Sequence, residues 1–311
     1  MSQKYTFSRR KFLAVSAAAV AAPTLLGGTA WGRPDLKSVP ENELTQIADA
    51  LPKAATVKPK KPRKLLNFYR CDGFIHGSIN RGNAAFEMLG KETGAYETVT
   101  TADMSAFDPG ALDEFDAVMF NNTTRLKFTD AQKESLMGFI KGGKGVCGCH
   151  AASDNFYDWP EAAGMMGGLF AGHPWGGGGT WAVQIEEPDH PINAGFDGKG
   201  FWVKDEIYKL KEPYSRENLR VLVGLDMTKE VNQRGQRPDN DHAISWIRDF
   251  EKGRVFYCSL GHNNHIFWTT SILQHYLDGI QYAFGDIEAD ATPSAKLEKD
   301  VKIVPAPAQP A

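Results

Sequence analysis

The chain has 311 residues, of which 42% are hydrophobic, enough to form the core of one large domain or two small ones. Its net charge of −3 hides an uneven distribution, because residues 65–286 carry 20 basic and 30 acidic side chains, a net charge near −10. An acidic body without a basic stripe neutralises phosphates poorly, which excludes nucleic acid as an expected partner.

The first 32 residues are typical of an export signal. Four cations, Lys4, Arg9, Arg10 and Lys11, precede an apolar run over 12–26. This run is shorter than the roughly 20 residues that a membrane-spanning helix needs. Residues 8–13, Ser-Arg-Arg-Lys-Phe-Leu, have the pattern of twin-arginine signals. We expect export by the twin-arginine (Tat) translocase to the periplasm or beyond, with an ordinary secretory signal as the alternative.

Two segments rich in Pro, Lys and Ala flank the body of the chain. Residues 33–63 predict a linker or surface arm with a short helix at 41–51. Residues 287–311 end in Pro-Ala-Pro-Ala-Gln-Pro-Ala and predict a disordered tail. The folded domain is therefore expected over 64–286.

The first half of this domain alternates strands and helices. Strands are predicted at 64–70, 96–100, 115–120 and 144–149. Helices are predicted at 80–93 and from residue 129 or 130 to the Gly142-Gly143 pair. Strands that are apolar throughout, separated by amphipathic helices, favour a mostly parallel sheet with helices on both faces.

The second half is richer in strands. They are predicted at 180–186, 219–225, 243–247 and 254–259, before a closing helix at 270–284. We expect one α/β domain in which the parallel sheet has an antiparallel extension.

Three histidines fall where predicted strands end. His76, His150 and His262 follow the first, fourth and last of them. Ligands of open α/β sheets gather beyond the carboxyl ends of the strands, so we expect these side chains to share a cleft. Neutral imidazoles suit zinc and similar ions, which makes a divalent metal the expected cofactor. Unconnected polar loop histidines are the alternative.

Other candidate residues surround this cleft. Asp205, Glu206 and His150 are candidate acid–base catalysts, and His242 precedes a strand that reaches the same region. Candidate substrate-binding residues are Asn122, Asp154, Tyr157, Trp159, His173 and Tyr208. His173 begins a loop with four glycines at 176–179, which we interpret as a lid over a sugar-sized ligand. No Lys-Ser/Thr pair follows it, so no phosphate loop and no nucleotide cofactor are expected.

The cysteines are few for an exported protein. Cys71, Cys147, Cys149 and Cys258 lie in or at the end of apolar segments, so buried core residues are expected, with a disulfide as the alternative. Residues 145–152 have the small residues of a nucleophile elbow. His150 occupies the elbow position, and Cys149 would point into the sheet, which weakens a cysteine hydrolase.

Residues 64–285 resemble the ThuA-like (trehalose utilisation) family of the class I glutamine amidotransferase-like superfamily. The matching segments are 73–76 (GFIH), 120–124 (FNNTT), 148–152 (GCHAA), 157–160 (YDWP), 173–174 (HP), 189–191 (DHP), 205–208 (DEIY), 241–246 (DHAISW) and 253–262 (GRVFYCSLGH). Ala243 stands where the family usually has proline, and the Gly176–Gly179 run is unusual.

The resemblance implies a flavodoxin-like fold in which His150 replaces the amidotransferase cysteine. It also implies a role in sugar catabolism, on 3-keto-glycosides that a partner sugar 3-dehydrogenase produces. The expected function is therefore hydrolase, lyase or isomerase chemistry on a small carbohydrate in the periplasm. The alternatives are a non-catalytic sugar-binding protein, in which Trp159, Trp175, Trp181 and Tyr157 stack on sugar rings, and an amidase using Cys149.

Overall fold

The computed structural model describes residues 38–235, 237–298 and 300–309. The predicted signal peptide, residues 1–32, lies outside this part of the chain. In chain order the helices and strands are α1 (Glu41–Ala50), β1 (Lys64–Phe68), α2 (Ile79–Thr93), β2 (Glu97–Thr101), β3 (Ala117–Asn121), α3 (Asp130–Lys141), β4 (Gly145–Cys149), α4 (Pro160–Met166), β5 (Leu169–Phe170), β6 (Trp181–Glu186), β7 (Phe201–Val203), β8 (Leu210–Lys211), β9 (Arg220–Leu225), β10 (Ala243–Phe250), β11 (Gly253–Cys258), α5 (Thr270–Ala283) and β12 (Ile303–Val304).

One mixed sheet organises these elements. Its parallel half has the order β2-β1-β3-β4-β11, and β10, β9, β6 and β12 continue it with antiparallel pairing. Register is continuous where the site forms: Asn121 pairs with Cys149, and Cys149 pairs with Cys258 on its other side. The parallel half has the strand order of flavodoxin-like sheets. The predicted α/β fold with an antiparallel extension is thus confirmed.

Helices cover both faces of the parallel half. The apolar side chains of α1, α2 and α5 pack on one face, and those of α3 and α4 pack on the other. Gly279 lets α5 lie against β11, since a Cβ there would be 2.4 Å from the ring of Phe256. The helix predicted from residue 129 or 130 is α3, and Thr129 and Gln132 form a capping box at its start. No helix in the described part of the chain is long and apolar enough to cross a membrane.

The segments that flank the domain pack on it. The Thr56 N–H donates to the Gln281 side chain at 2.8 Å, which fixes the N-terminal arm along α5. The described part of the C-terminal segment differs from the disordered tail expected from its composition. Its strand β12 pairs with β6, and the Ala306 N–H donates to the buried Asp226 carboxylate at 3.0 Å. An open sheet edge and a buried acceptor explain why this proline-rich segment is ordered.

Candidate metal centre and surrounding cleft

The carboxyl ends of the parallel strands bring four side chains together. His76, His150, Glu206 and His262 each place one potential ligand atom within 4.8 Å of the others. His76 lies in the loop after β1, His150 directly follows β4, and His262 comes shortly after β11. Glu206 lies in the segment between β7 and β8. The structure therefore groups the three histidines predicted as ligands and adds Glu206, which was predicted as a catalytic acid or base.

His150 occupies a tight turn at the end of β4. Its φ of +46° is in the left-handed region, which non-glycine residues seldom adopt. Its Nδ1 lies 2.6 Å from the Ser259 carbonyl oxygen, so Nδ1 carries the proton and donates it. The second nitrogen, Nε2, is buried and has no hydrogen-bond partner. The turn thus holds a fully buried imidazole with its lone pair directed at the cluster, the orientation that metal-bound histidines usually have.

Glu206 connects the cluster to a fifth side chain. One carboxylate oxygen, Oε1, lies 3.7 Å from His150 Nε2 and 3.3 Å from His262 Nδ1. The other, Oε2, lies 3.4 Å from His173 Nδ1. The side chain of Glu206 is only 11% exposed, whereas that of His173 is 57% exposed. The centre is therefore buried on the His150 side and open to solvent on the His173 side.

Burial and the neighbouring side chains shift the pKa values of three members of the cluster. Burial, followed by the neighbouring His150 and His262, lowers the pKa of His76 to about 2. Burial alone would raise the pKa of Glu206, but His150 and His262 outweigh burial and lower it below its usual range. Contact with the Glu206 carboxylate raises the pKa of His262. An anionic Glu206 and a neutral His76 are the protonation states that binding of a divalent cation requires.

The donor set fits zinc. Besides His150 Nε2, the buried Nδ1 atoms of His76 and His262 have no hydrogen-bond partner. Buried polar atoms are rarely left without partners, so three in one cluster require an explanation. Imidazole nitrogens and a carboxylate oxygen are ligand types that zinc accepts. A divalent ion at this position would supply the partner that each nitrogen lacks.

Asp205 lies next to Glu206 in sequence and contacts the loop that carries His262. It is fully buried, and its carboxylate accepts the backbone N–H groups of Gly261 and Asn263, both at 2.7 Å. These donors flank His262, so Asp205 fixes the loop that carries this histidine. The two adjacent acids therefore face different partners: Asp205 binds the loop that carries His262, and Glu206 faces the cluster. Both carboxylate oxygens of Asp205 accept backbone hydrogen bonds, and its role as an acid–base catalyst stays a prediction.

The same loop is fixed from the opposite side. The Gly261 carbonyl oxygen accepts the Ser78 hydroxyl at 2.6 Å and the Asn122 amide at 3.3 Å. Gly261 has φ +156°, and a Cβ there would be 2.8 Å from the Cys149 sulfur. Asn122, predicted to bind substrate, is fully buried and supports this loop instead.

Three predicted substrate residues, Tyr208, Tyr157 and Asp154, make polar contacts near the cluster. The Tyr208 hydroxyl lies 3.3 Å from His76 Nε2, and burial raises the pKa of this phenol far above its ordinary value. Tyr157 donates to Asp154 at 2.5 Å and lies under the Arg125 guanidinium at 4.2 Å. Asp154 also pairs with Arg125. These contacts form a polar and aromatic wall next to His173.

Other predicted residues lie elsewhere. His242 packs on Trp175 and lines a separate cavity of about 340 Å³ beside Glu186 and Arg216, so the structure does not group it with the cluster. Trp159 packs with Phe128 and Phe156 and lines a cavity that Arg125 and Tyr157 also line. The aromatic rings of Trp175 and Trp181 are 0% and 3% exposed, which leaves no face for a sugar. The antiparallel extension buries these tryptophans, which sequence periodicity alone does not reveal.

Cys149 is not placed as a nucleophile. It is fully buried, accepts the Tyr276 hydroxyl at 3.1 Å, and burial strongly raises the pKa of its thiol. A thiol that stays protonated is a poor nucleophile, which contradicts the amidase alternative. All four cysteines of the chain are buried and free, as expected for core residues.

The glycine loop contacts the histidine cluster directly, a relation that its sequence did not reveal. The Asn263 side chain donates to the Gly177 carbonyl at 2.7 Å. A Cβ on Gly177 would lie 2.9 Å from the His262 ring, so only glycine allows this approach. Phe170, another residue that was not predicted, contacts the rings of Tyr208 and His173.

Strand order and the position of this centre define a flavodoxin-like α/β protein, consistent with the class I glutamine amidotransferase-like fold and with a histidine at the elbow. The family model for trehalose utilisation (ThuA) matches residues 64–283, and the chain belongs to this family. Membership indicates a sugar-related role.

Solved structures support the fold. A ThuA-like protein from Bacteroides uniformis ATCC 8492 has a TM-score of 0.59 and 20% identity, covering 77% of this chain and 98% of that one. A second, from Parabacteroides merdae ATCC 43184, has a TM-score of 0.55 and 15% identity, covering 76% of this chain and 100% of that one. No curated protein sequence matches the chain.

Proposed function

We propose that the protein is a periplasmic enzyme that cleaves 3-keto-glycosides, with a divalent metal such as zinc bound by His76, His150, Glu206 and His262. One observation carries the proposal. In a protein of the trehalose utilisation family, four potential ligand atoms lie within 4.8 Å of one another, and three of the side chains offer nitrogens without hydrogen-bond partners. A bound zinc ion would polarise the C3 ketone as a Lewis acid.

The ketone makes elimination chemically accessible. It acidifies the proton on C2, so a base can remove that proton while the C1 substituent leaves with its bonding electrons and a C1=C2 double bond forms. The departing oxygen takes up a proton, and water then adds at C1 with its proton at C2. The products are the free 3-keto sugar and the alcohol, so the net reaction is hydrolysis.

His173 is the base that the geometry favours. It is the most exposed imidazole around the centre, and Glu206 Oε2 orients its Nδ1 from 3.4 Å. Nε2 is then available to take the C2 proton, an arrangement in which a carboxylate positions a general base. His150, an alternative base from the sequence, is fully buried with Nδ1 bound to Ser259.

Tyr208 suits the protonated partner. Its raised pKa keeps the hydroxyl protonated at any physiological pH. The neutral phenol can donate a hydrogen bond to negative charge that develops on a substrate oxygen. Burial against His150, at 4.3 Å between ring centroids, holds it in place.

Activity on 3-keto-glycosides tests the proposal. The zinc-loaded protein should release the alcohol, and chelation should abolish release. His173→Ala should lower kcat by about 10²- to 10⁴-fold, the usual contribution of a general base, while His265→Ala serves as the control. Substrates that remain unchanged with both zinc-loaded and metal-free protein would refute the proposal.

Location requires its own test. The proposed export depends on Arg9 and Arg10, which lie outside the described residues. Replacing both with lysine should retain the protein in the cytoplasm, whereas the wild type should appear in the periplasmic fraction. A partner sugar 3-dehydrogenase would supply the substrate, because C3 must be oxidised to a ketone before the elimination.

A further inference from the structure

Two exposed apolar side chains stand beside the metal centre. Phe74 is 66% and Ile75 is 48% exposed, and His76 follows them directly. In the part of the chain that the structure describes, Val99 and Ile303 are the other large apolar side chains with such exposure. Exposed apolar groups that cluster at a site mark ligand contacts more often than scattered ones do.

The loop that carries this pair is fixed. The Gly73 N–H donates to the Thr124 hydroxyl at 3.2 Å, and that hydroxyl donates to the Phe74 carbonyl at 2.9 Å. The Phe74 ring meets the His76 ring edge-on, with centroids 4.8 Å apart. These hydrogen bonds fix the backbone of the loop, which keeps the Phe74 side chain exposed.

The neighbouring wall is polar. A Cβ on Gly73 would lie 2.6 Å from Arg125 Cγ, so the loop packs against the side chain that covers Tyr157 and pairs with Asp154. Hydroxyl-rich parts of a ligand have partners on that wall and at the histidines. Phe74 and Ile75 offer none, and they instead match an apolar surface.

We propose that Phe74 and Ile75 form the subsite for the leaving group of the substrate, and that this group is aromatic or otherwise apolar. This inference rests on the proposed function, because it assumes that the keto sugar lies at the metal centre. The reacting ring brings its ketone and hydroxyls to the polar centre, so the C1 substituent is the part left to contact the exposed rim. An aromatic ring there would stack on Phe74 and remove both surfaces from water.

Binding of two unoxidised glycosides tests the subsite apart from catalysis. Titration of zinc-loaded protein with phenyl and methyl β-D-glucopyranoside should show about tenfold tighter binding of the phenyl compound. Phe74→Ala should reduce this ratio to about two or less, whereas Phe74→Tyr should preserve it. Val99→Ala is the control, since it truncates an exposed apolar side chain of β2 that does not belong to this pair.

Turnover of the corresponding 3-keto-glucosides separates the two proposals. Phe74→Ala should raise KM for the phenyl substrate about tenfold and leave kcat for both substrates nearly unchanged. Selective binding without turnover would retain the subsite and refute the hydrolase. Equal or undetectable binding of both glycosides by the wild type, or a ratio unaffected by Phe74→Ala, would overturn the subsite. A dimer that Phe74→Ala dissociates would also overturn it, because the patch would then bind a second copy.

Discussion

Replacing Glu206 with glutamine should weaken zinc binding without unfolding the protein. The change keeps the size of the side chain and removes the one negative charge that contacts His150, His262 and His173. Unit charges 3.3 Å apart, the separation of Glu206 Oε1 and His262 Nδ1, interact by about 5 kcal/mol at an effective dielectric constant near 20.

Solvent reduces this value. The side chain of His262 is 28% exposed, so we take about half of the interaction, roughly 2.5 kcal/mol, as the contribution of the carboxylate. A divalent cation gains at least as much from the carboxylate as a singly charged group does. The Kd for zinc should therefore rise by at least about 70-fold.

Competition with a chromophoric chelator measures this Kd. The metal-free protein provides a second readout, since loss of the carboxylate should lower the raised pKa of His262 in an NMR titration. Glu217→Gln, which neutralises an exposed acid outside the cluster, is the control. A Glu206→Gln variant that binds zinc within threefold of the wild type would refute the assignment of Glu206 as a ligand.

Three further predictions concern Asp205, Cys149 and Asp278. Asp205→Asn places an amide N–H₂ against the backbone N–H donors of Gly261 and Asn263. Zinc should therefore bind about 10- to 100-fold more weakly in the same chelator competition. An unchanged Kd would show that the loop carrying His262 keeps its position without Asp205. Cys149→Ala should keep kcat within about threefold and lower the free energy of unfolding in urea by about 1–2 kcal/mol. A complete loss of activity in a folded variant would instead support the amidase alternative. Burial raises the pKa of Asp278 to about 7 from 3.8, so the folded protein keeps a proton that the unfolded chain releases, and stability falls as pH rises between these values. Asp278→Asn should remove this pH-dependent loss of stability, which is at most roughly 4 kcal/mol. The free energy of unfolding should then depend less on pH between pH 5 and 8. An unchanged pH dependence would contradict the raised pKa of Asp278.

The fold could be predicted because its periodicity is strong. The strand predicted at 144–149 is Gly145–Cys149, and the helix predicted from residue 129 or 130 is Asp130–Lys141. Apolar strands and capped amphipathic helices leave little ambiguity. The helix Pro160–Met166 and the two-residue strands were not predicted, since segments so short carry no periodic pattern.

The site could be predicted only in part. Parallel strands end at one edge, so strand-end histidines could be grouped from their positions alone. Glu206 and His173 come from irregular segments whose path depends on tertiary packing. The division between Asp205 and Glu206 was equally hidden, because adjacent residues have identical chemistry and differ only in the direction they face.

The distribution of the four proposed ligands along the chain has a consequence for biogenesis. His76 comes early and His262 comes after the last strand of the parallel half, so the cluster forms only when nearly the whole domain has been synthesised. Contacts between residues so far apart in sequence form late in folding. A nascent or truncated chain therefore lacks the complete centre, and acquisition of zinc would report that the domain has finished folding. For a protein proposed to leave the cytoplasm already folded, metal acquisition before export would then avoid competition among metals in the periplasm.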